Sequence, residues 1–289
     1  LNPSSAASDV YKRQAYIKFG QVLSTRPDVV GDELAKQLTV LQDKLPPFST
    51  EIAKQSIAQE LGENADVIFS DFSPAVAAAS IAQVHRATLR QSGEEVAVKV
   101  LRPDIERAFR TDLDAFFLAA RIVEVLSPAS RRLRPMDVIT HFESVVFGEL
   151  DLRLESSAAS EFAANTAKDD GFTLPVIKWP YSSRRVMTMS WAEGVPMGDN
   201  AAIDAAGHDR QALSTRVLQL FLSHALRDGY FHADMHQGNM KVAPNGDIIA
   251  YDFGIMGHID EYTRRVYAEI LFGFIRKDFK RVAEVHFEA

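Results

Sequence analysis

HADMHQGN, residues His232 to Asn239, and YDFG, residues Tyr251 to Gly254, are the two strings on which the reading of this chain turns. In the first, four residues separate Asp234 from Asn239; in the second, Asp252 opens an Asp-Phe-Gly turn after the apolar run Ile248, Ile249, Ala250. Phosphoryl transfer explains such a spacing. One carboxylate must meet the attacking hydroxyl or water, while an amide and a second carboxylate hold the Mg²⁺ that bridges the nucleotide phosphates. Either string alone would arise by chance in a chain this long, as two unrelated polar turns. The ordered pair, each preceded by strand-like residues, is far harder to obtain by accident.

Working outward, GEEVAVKVLRP (Gly93 to Pro103) alternates as a half-buried strand, with Val96, Val98 and Val100 on one face and Ala97 and Lys99 on the other. A lone lysine in a valine-rich strand is more often a solvated edge charge. Ahead of an Asp-x4-Asn loop and an Asp-Phe-Gly turn, it reads instead as the strand lysine that contacts the α- and β-phosphates of a nucleotide. Such an ammonium needs an acidic anchor when a cleft closes over it. GELDLRLESSAASEFAANTA supplies Glu149, Asp151 and Glu155, expected on one helix, where Asp151 and Glu155 share a face and Glu149 does not. The glycine-rich loop that precedes such a strand in protein kinases is missing. FSPAVAAASIAQVHRATL stands there, with Ala77, Ala78, Ala79 and Ser80 expected in the turn. Alanine removes the positive-φ freedom of glycine and adds methyl groups where phosphates would approach the backbone. AVAAAS could also be a small-residue helix start; the strand-like Gln83-Val84-His85 and the downstream lysine favour a substituted nucleotide loop.

Together with KFGQ at Lys18 to Gln21, followed by VLSTRPD, these strings make the chain resemble the UbiB family of atypical, protein-kinase-like ATPases, also called aarF-domain kinases. The resemblance runs from about Ala15 to the last residue. It implies an α+β, protein-kinase-like two-lobe fold with an N-terminal helical extension and a truncated C-terminal lobe. It implies ATP and Mg²⁺ as cofactors, with Asp234 as the catalytic-loop aspartate, Lys99 paired with Glu155, and Asn239 and Asp252 on the metal. Lys18 would belong to a helix folded across the nucleotide cleft to meet Glu149, and Gln21 would face the phosphates. The hinge would lie at Met189, Ser190, Trp191 and Ala192, with Met189 as gatekeeper and adenine on that backbone. The chain departs from the resemblance at Met235 and Gln237, where the family usually has proline, which bears on the rigidity of the loop. The partners implied are ubiquinone-precursor lipids, ubiquinone-biosynthesis proteins and, for the whole protein, the cytoplasmic face of an inner membrane, this piece itself being soluble.

Composition sets the outer limits. At 289 residues, 46% hydrophobic and 25% charged, the chain can bury one or two sizeable cores. A net charge of −7 argues against a nucleic-acid surface. RRLRP (Arg131 to Pro135) is the one dense cationic run, read as a solvated helix end. The absence of cysteine excludes disulfides and thiolate zinc sites. His232 and His236 flank Asp234, and scaffolding of the loop explains them better than a metal cluster. There is neither a GxGxxG flavin fingerprint nor an iron-ligand triad, which argues against hydroxylation.

The expected organisation is a non-native leader over 1–14, a helical extension over 15–65 with a break at Leu45-Pro46-Pro47-Phe48, a small lobe over 66–190, and part of a larger lobe over 191–289. Strands are expected at 82–90, 95–101, 174–179 and 184–189. Helices are expected after Pro103, over about 136–165 and over about 209–228, and KDFKRVAEVHFEA keeps helical periodicity at the end, as a fragment would. Two other functions compete with an ATPase or kinase. A small-molecule phosphotransferase of the aminoglycoside or choline kinase type shares the His-x-Asp-x4-Asn loop, but not KFGQ or the alanine-rich loop. A pseudokinase scaffold would bind nucleotide without turnover, against which stand the retained Lys99, Asp234, Asn239 and Asp252.

Overall fold

The computed structural model describes residues 46–126 and 132–288. Pro46 and Pro47 open the described chain with a stretch that cannot be helix interior, and side chains of the following sheet hold it. Phe48 N donates to Gln83 Oε1 at 2.9 Å, Gln83 Nε2 donates to the Phe48 carbonyl at 3.2 Å, and Arg102 Nη2 donates to the Pro46 carbonyl at 3.0 Å. Ser49 then caps α1 (Thr50–Leu61) by accepting from Ile52 N, and Gly62, at φ 72°, ends it in the left-handed conformation glycine adopts without strain. A single turn, α2 (Ala65–Ile68), leads into β1 (Phe69–Ala78), β2 (Ala82–Leu89) and β3 (Glu95–Leu101).

These strands form an antiparallel meander, and β5, introduced below, is the fourth strand of the sheet, next to β3. Val96, Val98 and Val100 of β3 are wholly buried, together with Ile57 of α1, Ala87 and Leu89 of β2 and Val186, but on the opposite face Ala97 and Leu101 are buried as well and Lys99 is half-buried, so the strand is not the half-buried one expected. Removing each of these valine, isoleucine and leucine side chains from water contributes roughly 1.5–3 kcal/mol. β1 had no counterpart among the expected strands. Its register shifts three times against β2 and Pro74 lies within it, so it lacks the regular alternation that marks a strand in sequence.

After β3 come α3 (Ile105–Leu126) and α4 (Pro135–Glu149), packed on each other. Glu106 in the first turn of α3 holds Arg185 at 2.5 Å and Arg184 at 3.2 Å. The described part of the cationic run stands exposed at the start of α4, where Arg134, at φ 50°, pairs with Asp137 one turn on. The long helix expected over 136–165 is two helices. Leu150 is buried at the break, and Asp151 Oδ1 accepts from Arg153 N, capping α5 (Leu152–Asn165). Asp151 is therefore the cap before α5, not a residue on a face shared with Glu155.

β4 (Phe172–Thr173) and β5 (Val186–Ser190) follow. The strand expected at 174–179 does not form, because Pro175 and Pro180 have no N–H to give a ladder. In its place two bonds link Val176 to Ser190 and one links Lys178 to Thr188, and Trp179–Tyr181 makes a 3₁₀ turn. The described chain divides into two compact units. One ends at Leu154 and regains Lys178–Met189; the other comprises Glu155–Ile177 and everything from Ser190 onward. The small lobe drawn over 66–190 thus loses Glu155–Ile177, for reasons visible in the second unit's core.

That unit contains β6 (Val195–Pro196), α6 (Asn200–Ala205), α7 (Arg210–Ser223), β7 (Tyr230–His232), β8 (Met240–Val242), β9 (Ile248–Ala250), β10 (Met256–His258), α8 (Glu261–Arg276) and α9 (Phe279–Glu288). β4 pairs in parallel with β9, in a sheet ordered β4-β9-β8-β6, and β7 pairs with β10. Phe162 of α5 is fully buried, with ring centroids of Phe172, His224, Tyr230 and Phe253 at 5.0–6.4 Å. Asp169, after α5, accepts from His224 Nε2 at 3.0 Å and takes both guanidinium nitrogens of Arg227 at 2.7 and 2.9 Å. The helix expected over 209–228 is α7 plus a π turn, His224–Asp228, closed by Gly229 at φ 69°.

Candidate active site

The loop between β7 and β8 is built by its own histidines. His232 Nδ1 accepts from Asp234 N at 3.1 Å, and His236 Nδ1 accepts from Gly238 N at 2.9 Å. Burial lowers the pKa of His232, against the pull of Asp252, Asp234 and the carbonyls of Asp252 and Tyr251. A neutral ring accepting at Nδ1 carries its proton on Nε2, so the imidazole is fixed as one tautomer. Both histidines scaffold the loop.

Asp234 and Asn239 meet directly. The Asn239 amide nitrogen donates to the Asp234 carbonyl and to Asp234 Oδ2, each at 3.1 Å. Asn239 is nearly buried, its carbonyl accepts from Tyr251 N at 3.0 Å, and Tyr251 Oη donates to the Gly238 carbonyl at 2.7 Å. Because Met240 pairs with Ala250 across the β8–β9 hairpin, Asn239 and the Tyr251-Asp252 pair leave the same end of it. Asp252 itself sits at φ 73°, a left-handed backbone unusual outside glycine, asparagine and aspartate. Phe253, next in the chain, is buried against Phe162 and His232. The packing of Phe253 and the Tyr251 bonds leave the backbone of Asp252 little choice of conformation.

Among the described residues no group of three or more histidine, cysteine or acidic side chains could hold a metal ion alone. What the hairpin end offers is a carboxylate and an amide oxygen, since the Asn239 nitrogen is already committed to Asp234. Two hard oxygen donors suit Mg²⁺, which is commonly held by one or two protein groups plus substrate phosphates.

In the other unit, Lys99 lies half-buried on β3. The turn from β1 to β2 is shorter than expected: Ala77 and Ala78 are strand residues opposite Val84 and Gln83, leaving Ala79, Ser80 and Ile81 as the turn. Arg102 clamps it, with Nε and Nη2 donating to the Ala79 carbonyl at 3.2 and 3.0 Å. Ser80 is fully buried and its hydroxyl has no hydrogen-bond partner.

The acidic candidates separate. Glu149 is the last residue of α4, where the helix dipole disfavours a negative charge. Both oxygens of Asp151 are taken by Arg153, at 2.9 and 2.6 Å, and that guanidinium holds its carboxyl below the usual range. Glu155 is 9% exposed in the first turn of α5, where the dipole favours it. Lys18 and Gln21, with the leader over 1–14 and most of the extension, lie outside the described residues.

At the expected hinge, Met189 is buried as the last residue of the first unit and Ser190 begins the second. Ser190 N donates to the Val176 carbonyl at 2.9 Å, and its hydroxyl accepts from Val176 N at 2.9 Å. Lys241, which sequence reasoning passed over, donates to the Ala192 carbonyl at 2.8 Å and lies 4.9 Å from the centroid of Trp191 and 5.8 Å from that of Tyr251. Its position two residues after Asn239 in a short apolar strand was the available signal.

The family described as ABC1 atypical kinase-like domain matches residues 40–286. The chain belongs to it. Curated relatives called "Probable protein kinase UbiB" include those of Shewanella piezotolerans, 40% identical over 279 residues, and Marinobacter nauticus, 38% identical over 279 residues. Each match covers 95% of this chain and 51% of the relative, so the chain spans about half the length of the curated relatives it matches. Among solved structures, the complex of Rv3197 with erythromycin from Mycobacterium tuberculosis superposes with a TM-score of 0.68 at 29% identity, over 93% of this chain and 68% of that one. The ABC1 family and this neighbour agree with the kinase-like α+β fold that the resemblance implied. Among the described residues no helix is long and apolar enough to cross a membrane.

Proposed function

We propose that this ABC1-family chain carries the catalytic part of an ATP-binding, Mg²⁺-dependent atypical kinase or ATPase that supports ubiquinone biosynthesis. The observation that carries the proposal is the double hydrogen bond from Asn239 to Asp234 at the hairpin end from which Asp252 also emerges. In this reading the Asp234 carboxylate receives the proton of the attacking hydroxyl or water, while the Asn239 amide oxygen and the Asp252 carboxylate hold Mg²⁺. When bound, the metal would neutralise charge on the nucleotide phosphates. Lys99 contacts phosphate with Glu155 as its acidic anchor, and the turn of Ala79 and Ser80 faces phosphate. The unpartnered Ser80 hydroxyl is the kind of orphaned group a phosphate oxygen would satisfy. Adenine lies on the Met189 to Ala192 backbone, using main-chain groups other than the Ser190 N–H and Ala192 carbonyl. For the whole protein the proposal extends to ubiquinone-precursor lipids, ubiquinone-biosynthesis proteins and an inner-membrane location.

A second reading, action on a small molecule other than a lipid, has one observation in its favour: the M. tuberculosis neighbour was solved in complex with erythromycin. One experiment separates the readings. ATP hydrolysis with Mg²⁺, followed with and without a phenolic lipid and alongside a radiolabel search for phosphorylated products, should show metal-dependent turnover that the lipid stimulates. No Mg²⁺-dependent turnover with retained nucleotide binding would leave a pseudokinase; a labelled water-soluble product would favour the second reading.

A further inference from the structure

Lys241 stands at a junction within the second unit. Met240 and Val242 are buried on one face of the three-residue strand β8, so the strand turns the half-buried side chain between them to the other face. There the ammonium donates to the Ala192 carbonyl at 2.8 Å and lies over the rings of Trp191 and Tyr251, 4.9 and 5.8 Å from their centroids. Both aromatic faces attract it. The segment that carries Trp191 and Ala192 is itself pressed onto β8. Val195 and Pro196 of β6 pair with Val242 and Lys241, and a Cβ on Gly194 would collide with the Val242 carbonyl. The ammonium is thus held at one place, against a main-chain acceptor of the segment expected to carry the nucleotide base.

In the nucleotide reading of Met189 to Ala192, on which this inference rests, the Ser190 N–H is engaged by the Val176 carbonyl and the Ala192 carbonyl by Lys241. Between them along the chain come the Ser190 carbonyl and the Ala192 N–H, an acceptor followed by a donor, which match the 6-amine and N1 of adenine. Position C2 of the ring then faces the Ala192 carbonyl. Adenine carries only a C–H there, whereas guanine carries an amine. A carbonyl oxygen has a second lone pair, but an amine reaching for it would stand beside a full positive charge in a half-buried place, where screening is weak. Repulsion aimed at one competitor is a means of specificity as effective as attraction for the other.

We propose that Lys241 is a specificity-determining residue: it keeps purines with an amine at C2 off this segment, so that the chain takes adenine nucleotides and refuses those of guanine. It acts through the charge it sets beside the Ala192 carbonyl. The probe is 2,6-diaminopurine riboside triphosphate, which is ATP with an amine added at C2 and nothing else changed. Titrated calorimetrically with Mg²⁺ into the 289-residue chain, it should bind at least about tenfold more weakly than ATP. In Lys241→Met and Lys241→Leu, which keep an apolar chain on the strand and remove the charge, the difference should shrink to within about threefold. A residue that only held the fold together would, when replaced, weaken both nucleotides alike and leave their ratio where it was. Equal binding of the two by the parent, or the parent's ratio kept in whichever of the two variants folds, would overturn the proposal. If the parent binds ATP while the ratio does not move, this inference alone falls. If the parent binds neither nucleotide, the nucleotide reading falls and takes the inference with it.

Discussion

Asn239 gives both hydrogens of its amide to Asp234, one to the main-chain carbonyl and one to Oδ2. The carboxamide is planar, so its oxygen points away from Asp234, and one short loop thereby presents a positioned carboxylate and a separate amide oxygen. Asn239→Ala would strip two hydrogen bonds, each worth about 0.5–1.5 kcal/mol net and more where the acceptor is charged. The expected result is a melting temperature a few degrees lower and loss of Mg²⁺-dependent nucleotide binding, read by thermal shift with and without the metal.

Asp252→Asn is the cleaner probe of the metal. Asparagine tolerates the left-handed backbone at φ 73° as aspartate does, so the substitution removes charge without straining the turn. The melting temperature without nucleotide should match the parent's, while the Mg²⁺-dependent shift with ATP should nearly vanish. Equal shifts in the two proteins would remove Asp252 from the metal.

Lys99 and Glu155 offer a test of pairing. Glu155 is almost buried, and leaving a buried ammonium without its carboxylate costs on the order of 3–5 kcal/mol, less where water reaches it. A double-mutant cycle of Lys99→Met and Glu155→Gln, read on nucleotide affinity, should show coupling. Additive losses would mean that the two do not act together.

Stability should fall in mild acid. Burial holds the imidazoles of His85, His224 and His232 below their ordinary value of 6.5. Between 6.5 and the lowered values the unfolded chain binds protons that the folded chain refuses, so stability is full above 6.5 and lost as pH falls through that window. Asp169 and Asp151 are held below 3.8 and do not titrate there. Urea midpoints should be level from about pH 8 to about pH 7 and drop towards about pH 5, with a shallower drop in His85→Gln. A midpoint constant over the whole range would contradict the assignment.

Gly229→Ala should be severe for one glycine. The residue takes φ 69°, and a Cβ there would stand 2.6 Å from the Ile259 carbonyl oxygen. The left-handed backbone alone costs roughly 1–2 kcal/mol for alanine, and the contact adds to it. A lower thermal midpoint is expected, whereas Gly93→Ala, with nothing near its Cβ, should lose only the conformational part.

What sequence could carry was local. The two strings carry their residue types at fixed spacing, and the valine alternation around Lys99 and the helix after Pro103 carry the short period that burial imposes on a strand or helix. Val96, Val98 and Val100 are buried where that period puts them, as are Ile105, Phe109, Leu113 and Ala120, whereas Val123 at the far end of the same helix is exposed. The break at Leu150-Asp151 was legible too, since aspartate is a preferred cap, but apolar residues on both sides of it suggested one helix. β1 escaped because its bulges erase alternation. The assignment of Glu155–Ile177 to the second unit rests on Asp169 with His224 and Arg227, and on Phe162 with Phe253. Those pairs lie dozens of residues apart, and a single sequence carries no signal for a contact that local periodicity does not create.

The π turn at His224–Asp228 fixes a length. A π turn holds one residue more than the α-helix it replaces, and here the extra residue sets the phase at which the chain delivers Tyr230, His232 and then Asp234. Deleting a residue within 224–228 would wind the turn back to α geometry and change which side chains it presents, carrying His224 or Arg227 off Asp169. The β8–β9 hairpin tip, exposed at Pro244 and Asn245, can gain or lose residues without disturbing that phase. Variation in length should therefore accumulate at the hairpin tip and be excluded from the π turn, however freely the surface letters of either segment drift.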